Sequence, residues 1–397
     1  MRAPDPEAGF GSTVGVLAAG QLLCWAALFY AFSAFVLPMQ RALGWDKPTL
    51  MGAFTLGLAV HGATTYAVGA AIDRGHGRAV LAGGALLAGL GFAAWSQVSA
   101  PWMLYACWAL LGAAMAMTLY EPAFNVVTKR YPTRYRDAIT RLTLVGGFAS
   151  TLCYPAVTAL MAAFGWRGAL LAIGAVLALG VAPLHAWALR GPALVAHPAA
   201  PDAQADATLH QALRTPAFWL LTLCFTLYTF VSAAFWAHVM PAFAAKGFSE
   251  SQALAVLVWF GPAQVAGRAA HALAGRGVSL RLLGVVVLSA MPLALVLFAV
   301  GSTVPALIGF ALLFGLANGL VTIVRGALVP EVFGRAHVGR IGGAMSAVGL
   351  LARAAAPLLT AWLLLGLAGY REVMGVLALL AAGAAVAFAL VRRPATR

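Results

Sequence analysis

Apolar residues run along this chain in long unbroken blocks separated by short polar segments. A helix needs about 20 mostly apolar residues to cross a bilayer. Twelve such blocks can be drawn. The first six are Val14–Leu37, Thr49–Ile72, Ala79–Val98, Trp102–Val127, Ala138–Phe164 and Gly168–Leu189. The second six are Ala217–Met240, Ser251–Gly275, Leu282–Gly301, Pro305–Val329, Val338–Gly366 and Val373–Val391. The blocks are continuous rather than alternating, so they predict helices and not the strands of a membrane barrel. The pattern therefore predicts an all-α integral membrane protein with twelve transmembrane helices. One long internal segment, Arg190 to Pro216, is rich in Ala, Pro and Asp and has no sustained hydrophobic period. It divides the chain into an N-terminal six-helix half (1–189), a linker (190–216) and a C-terminal six-helix half (217–397).

The halves resemble each other. An offset of 202 places Arg74 on Arg276 and "PAVTA", Pro155 to Ala159, on "PLLTA", Pro357 to Ala361. Nearby, "GWR" at Gly165–Arg167 corresponds to "GYR" at Gly369–Arg371. Such matches across a shared hydropathy pattern indicate internal duplication. Six-helix repeats related about the membrane normal are a transporter signature, with the substrate site between the halves near the midplane.

Composition sharpens this picture. The 397 residues are 62% hydrophobic and 9% charged, against about one quarter charged in a soluble domain. The net charge of +14 does not point to nucleic acid, because the basic residues sit in short loops between apolar blocks. An even helix count puts both termini on one side. With that side cytoplasmic, 17 of the 25 Lys and Arg lie on it, five (Arg41, Lys47, Arg167, Lys246 and Arg371) lie outside, and Arg268, Arg325 and Arg353 lie within spans. This is the positive-inside bias. Residues 1–13 carry Asp5 and Glu7 beside Arg2, and the apolar block after them is too long for a signal peptide. The first block is read as a span, in a multi-pass protein of a bacterial inner membrane. Cys24, Cys107, Cys153 and Cys224 all fall in apolar blocks without metal-ligand spacing and read as small buried residues.

The tightest knot of charge is "VGAAIDRGHGRAVLAGG", Val68 to Gly84. With Gly69, Asp73, Arg74 and Arg78 it resembles the loop between spans two and three of the major facilitator superfamily, roughly Gly-x-x-x-Asp-Arg-x-Gly-x-Arg. His76 departs from the pattern, standing where the family usually has glycine. A degenerate second copy, Ala274 to Arg281, keeps arginines but lacks the aspartate. The resemblance covers essentially the whole chain and implies the major facilitator fold and alternating access. Within the superfamily the monocarboxylate and oxalate–formate exchanger branch is nearest. "RALGWDKPTL" resembles that branch's Gly-Trp stretch before span two, and Arg268 stands where the branch has a substrate-carboxylate arginine. Arg353 matches its second cationic residue, in span eleven. Span four lacks the early arginine of drug–proton antiporters, and span five lacks their Gly-Pro-x-x-Gly-Gly order. The resemblance also implies that Asp73 engages the start of span eleven, with Arg340 close by, as a clasp helped by Arg74 and Arg78. A carboxylate there meets a helix N-terminus, which favours negative charge.

A charge inside a span costs roughly 2.5–3.5 kcal/mol on insertion scales and usually faces a cavity or a partner. At about 1.5 Å per residue, Arg353 sits near mid-span, Arg268 roughly 8 Å from centre and Arg325 roughly 13 Å, where it can snorkel. A guanidinium matches a carboxylate in bidentate fashion, so Arg353 and Arg268 are the candidate substrate residues; a structural ion pair or carbonyl-bonded arginine is the plain alternative. Glu121 lies about as deep as Arg325, and three readings stand for it: a latch with Arg325, a proton carrier, and a structural residue. In the superfamily spans four and ten face each other, which is what the latch requires. His61 and His271 are the other titratable candidates. Gln21, Trp25 and Tyr30 in span one, Tyr228 and Trp236 in span seven, and Asn318 and Thr322 in span ten are candidates for lining the site, each with packing as the plain reading. Gly112, Gly146, Gly147, Gly315 and Gly319 allow close helix approach; Pro155, Pro262 and Pro357 can kink helices.

The sequence thus predicts a secondary transporter of a small organic anion, a monocarboxylate, coupled to protons or to a counter-anion. It is expected to work in the lipid bilayer as a monomer, without cofactor, metal or nucleic acid. Efflux of drugs or toxic solutes is the rival. A membrane-embedded enzyme or sensor is disfavoured, because the sequence offers no nucleophile–base arrangement and no His/Asp/Glu cluster.

Overall fold

A computed structural model describes residues 9–191, 206–274 and 277–392. Among them eleven continuous helical stretches are long and apolar enough to cross a membrane. One of these, Tyr135–Ala188, has 54 residues. At 1.5 Å per residue it would reach about 80 Å, far beyond a hydrocarbon core of about 30 Å. Its division falls at Gly165, whose φ of 67° and ψ of 173° leave the helix in a region essentially restricted to glycine. The helices are thus α1 (Phe10–Leu43), α2 (Lys47–Asp73), α3 (Gly77–Ser96), α4 (Pro101–Arg130), α5 (135–164), α6 (166–188), α7 (Pro216–Ala245), α8 (Glu250–Leu273), α9 (Leu280–Val300), α10 (Val304–Phe333), α11 (Val338–Gly366) and α12 (Tyr370–Ala389). The fold is all-α, twelve membrane helices in two similar halves.

Most helices outrun the apolar blocks that announced them, because capped polar turns extend them. Asp46 accepts from the Thr49 amide at 2.9 Å and starts α2, with Pro48 in its first turn. Ser249 and Gln252 form a reciprocal capping box at the start of α8. Gly44 ends α1 at a φ of 70°, its amide on Gln40 O. Two helices are under-wound locally: α1 has a π segment at Ala26–Tyr30 and α6 one at Val176–Val181. α4 breaks at Leu119, where ψ is −164°, so the apolar block 102–127 is two helical pieces with Glu121 in the first turn of the second.

The chain forms two compact units. The first comprises Met1–Asp206 with Gly334–Gly343, the second Ala207–Phe333 with Ala344–Arg397. Residues 192–205 of the expected linker, and Gly275 and Arg276 of the degenerate loop copy, lie outside the described residues. Asp206 and Ala207 lead instead into a short helix, Leu209–Leu213, capped by Thr208 and Gln211.

The two units repeat each other in packing. In the first, Phe32 stacks near Trp95 at 6.0 Å, with Trp108 edge-on to both. In the second, Phe235 meets Phe298 at 5.5 Å, with Phe310 against both. Phe235 and Phe298 each lie 203 positions after Phe32 and Trp95. A Cβ on Gly112 would run into Gly57 O of α2, and one on Gly315 would meet Phe260 O of α8 at 2.7 Å, again 203 positions apart. Without a side chain at these points, α4 closes on α2 and α10 closes on α8 backbone to backbone.

Candidate functional site

In the second unit α7, α8 and α10 bring several of the singled-out residues together. Arg268 on α8 is only 4% exposed and donates from Nε to Gly319 O of α10 at 3.0 Å. That carbonyl is approachable because Gly319 is itself pressed onto α8, where a Cβ would meet Gln264 O at 2.6 Å. One residue before it, Asn318 Oδ1 accepts from the buried Tyr228 hydroxyl of α7 at 3.2 Å. Tyr228 is also within electrostatic reach of Arg268. Thr322 stands one turn further on, its hydroxyl 3.5 Å from Asn318 O. A buried guanidinium and phenol thus lie beside a half-buried carboxamide and hydroxyl.

Arg325 is half-buried lower on α10 and does not snorkel free: Nη2 donates to Ser346 Oγ of α11 at 2.6 Å, and its guanidinium lies 6.0 Å from the Phe225 ring. Arg353 is exposed on α11. The four most exposed large apolar residues of that helix, Leu351, Leu358, Trp362 and Leu365, are spaced 7, 4 and 3 apart and form one stripe suited to lipid. Arg353 lies on the opposite side, in register with Ser346 and Pro357, so the charge is turned away from that stripe. His271 is half-buried on α8, and Trp236 packs edge-on against Phe260 at 4.7 Å.

In the first unit Trp25 precedes the π segment of α1 and Tyr30 ends it. Trp25 lies 4.9 Å from Tyr120, 5.3 Å from Phe29 and 6.3 Å from Tyr30, ring centre to ring centre. Its indole Nε1 is buried with no hydrogen-bond partner. Gln21 is buried and donates to Thr118 O at 2.7 Å, just before the break in α4. Glu121 follows that break and is half-buried. His61 is half-buried on α2, and its carbonyl accepts from Thr65 Oγ1 at 2.7 Å. Glu121 and Arg325 belong to different units.

The charged window is the turn between α2 and α3. Asp73 ends α2 almost wholly buried, paired with Lys129 of α4 at 3.2 Å. Its two carboxylate oxygens also accept from the amides of Gly339 and Arg340, at 3.1 and 2.8 Å. These belong to the Gly334–Gly343 segment of the same unit, whose approach is bare backbone: a Cβ on Gly69 would run into Gly339, and the reverse. Arg340 thus joins through its main chain. Arg74 and Arg78 are exposed. The family's glycine is not needed at His76, whose φ of −85° suits any residue. Gly75 instead takes the left-handed turn, at a φ of 93°, and Gly77 leaves room for Val126, which a Cβ would meet at 2.7 Å.

Several partners escaped the sequence reading. Lys129 was one of many loop cations, with no spacing to tie it to Asp73; its Nζ also donates to Ala336 O at 2.7 Å. Asp206 looked like a linker acid, yet its Oδ1 accepts from the amides of Arg335 and Ala336 at 2.5 and 3.1 Å. His238, in the aromatic run "FWAHVMP", had a signal that went unused, a titratable residue inside an apolar block.

Sequence and fold comparisons agree with this architecture. Residues 17–301 match the Major Facilitator Superfamily, and the chain belongs to that family of transporters rather than to any enzyme class. Among curated relatives, human monocarboxylate transporter 11 is 32% identical over 186 residues, 44% of this chain and 37% of that protein. Its mouse counterpart is 32% identical over 211 residues, 50% of this chain and 44% of that protein. The chain therefore matches less than half the length of either relative. Among solved structures, the human organic anion transporter MFSD10 superposes with a TM-score of 0.73 at 16% identity, covering 98% of this chain and all of that one. The E. coli fucose:proton symporter FucP, as its N162A variant, superposes with a TM-score of 0.75 at 12% identity, covering 96% and 98%. At these identities the structures speak for the fold alone.

Proposed function

We propose that this transporter moves a small organic anion, a monocarboxylate, by alternating access. The observation that carries the reading is Arg268. A guanidinium that stays charged, 4% exposed inside a membrane helix, is costly to keep. Here it is held by Gly319 O beside the Tyr228–Asn318 pair, a set of groups that suits a carboxylate: a planar cation and, in Asn318, a carboxamide NH2 donor that the Tyr228 bond does not use. Arg353, turned away from the lipid-suited stripe of α11, is the second cation. The names of the matched relatives, monocarboxylate transporters, and of one structural neighbour, an organic anion transporter, support the same substrate class.

In this reading the halves 1–189 and 217–397 are the two moving bundles, joined by the 190–216 linker. Both termini are cytoplasmic in a bacterial inner membrane, and one chain is the working unit. Asp73, Lys129 and the start of α11 form a conformational clasp. Coupling to a proton or exchange against another anion both balance the charge of a monocarboxylate.

The test is counterflow in proteoliposomes with a panel of labelled carboxylates, including pyruvate and lactate. At least one is expected to exchange. Arg268→Ala and Arg353→Ala are each expected to cut its exchange about 30-fold or more, the equivalent of about 2 kcal/mol for a truncated charge pair, while the variants still fold. Arg268→Lys falls between, keeping the charge without the fork. Failure of every carboxylate, with flux of a cationic drug, overturns the reading.

A further inference from the structure

His238 has both ring nitrogens at hydrogen-bonding distance of groups on other helices. It sits half-buried near the end of α7. Nε2 lies 3.0 Å from Pro357 O of α11, and Nδ1 lies 3.3 Å from the Tyr370 hydroxyl at the start of α12. The Tyr370 ring is 6.0 Å away, tilted. His238, Pro357 and Tyr370 all belong to the second unit.

The chemistry of the partners fixes the tautomer. A carbonyl only accepts, so Nε2 carries a proton and donates to Pro357 O. In the neutral ring Nδ1 is then the acceptor, and the Tyr370 hydroxyl donates to it. If Nδ1 gains a proton it becomes a donor, and the hydroxyl accepts by rotating about its C–O bond. Both protonation states keep both hydrogen bonds, so the ring can charge without moving. His185 makes the contrast: it is fully buried, Nδ1 faces Leu81 O at 3.4 Å, and Nε2 has no partner.

Pro357 lies four residues after Arg353, one turn along the same face of α11. Within the second unit, the charged residues of these helices are Arg353 on α11, Arg371 and Glu372 in the first turn of α12, and Lys246 at the end of α7. Three of these four are cations, so a second positive charge at His238 adds to the field around Arg353.

We propose that His238 is a proton-binding positioning residue that sets the anion affinity of α11: it takes a proton at Nδ1, keeps Nε2 on Pro357 O, and strengthens the hold on an anion at Arg353. The transport arm of this proposal rests on the organic-anion reading; the proton site itself does not.

Two measurements on the full chain test it. In nanodiscs, 15N-histidine spectra are recorded from pH 5 to 8, the range in which imidazoles titrate, and the His238 signal is assigned by its loss in His238→Gln. The expected result is a neutral Nε2–H tautomer that titrates within this range, with a midpoint displaced in Tyr370→Phe. An Nδ1–H tautomer, or no titration, overturns the proposal. In proteoliposomes, counterflow of labelled pyruvate is followed over the same range. The wild type is expected to lose about fivefold or more in apparent affinity as the pH rises. His238→Gln, which keeps a donor for Pro357 O, is expected to give a flat profile with its maximal rate within about twofold. An unchanged profile in His238→Gln also overturns it. If no carboxylate moves at any pH, the substrate reading falls and the tautomer and titration decide the proton site alone.

Discussion

The Asp73 carboxylate is where single residues carry most of the local energetics. It is buried with Lys129 and accepts from two amides. The gain of a buried ion pair is largely offset by the desolvation of both charges, but removing one partner leaves the other stranded, at a cost of about 3–5 kcal/mol. Lys129→Ala is therefore expected to lower the thermal unfolding midpoint in detergent by more than Asp73→Asn. The latter keeps an acceptor for one amide, and Lys129 keeps Ala336 O. Hydrogen exchange at Gly339 and Arg340 separates the clasp from general stability. Asp73→Asn should speed exchange at both amides, and unchanged exchange would mean that the carboxylate does not hold them. The aspartate was legible because its loop, with Gly69, Asp73, Arg74 and Arg78, resembles that of the major facilitator superfamily. Its cation was not, because Lys129 comes from a distant helix and sequence spacing carries no information about that meeting.

Helices were the most legible level, since a bilayer forces about 20 apolar residues per crossing and little else in the sequence competes with that signal. What the hydropathy pattern missed is how helices begin, break and bend. The left-handed Gly165 that parts α5 from α6 falls where the apolar blocks themselves part, between Phe164 and Gly168. The break at Leu119 has no such sign: no turn residue announces it, and yet it places Glu121 at a fresh helix start. Ends, by contrast, are set by local chemistry that can be tested. The Thr49 side chain and amide both bond Asp46 and hold its carboxyl below its usual range. A depressed carboxylate stabilises the folded state above its unfolded value of about 4, and that contribution is lost as pH falls through the lower folded value. The difference in unfolding midpoint between the wild type and Asp46→Asn should therefore shrink below about pH 4; a difference that persists in acid would assign the cap to something other than charge. The loop before α11 offers a second case. Asp206 holds the amides of Arg335 and Ala336, and Gly334 turns beneath it at a φ of 82°. Asp206→Ala strands two donors and should cost about 1–3 kcal/mol, with faster exchange at those two amides and no change at Thr49.

At the scale of the whole molecule the positive charges tell two stories at once. Most of the basic residues are expected on one side of the membrane, and Arg167 and Lys246 are among those expected on the other. The structure gives both a local task. Arg167 donates to Ser96 O and Val98 O at the end of α3, and Lys246 donates to Ala299 O and Gly301 O at the end of α9. The two acceptor pairs are again 203 positions apart, the spacing that relates the aromatic cores and the glycine contacts. The cations are not equivalent: one follows α5, the other follows α7. The duplicated fold thus leaves the same exposed carbonyls at the same helix end in each half, and each half has found its own cation to cover them. A positive group there satisfies orphan carbonyls and opposes the negative end of the helix dipole. Neutralising either residue should therefore destabilise without reorienting. Arg167→Gln and Lys246→Gln are each expected to cost about 1–2 kcal/mol, seen as a lower unfolding midpoint, while reporter fusions at the termini keep their orientation because the bias of the other basic residues is untouched. Equal stability in both variants would mean that the carbonyls are as well covered by water. A reversed orientation would mean that these two charges, and not the remaining loops, decide how the chain enters the membrane.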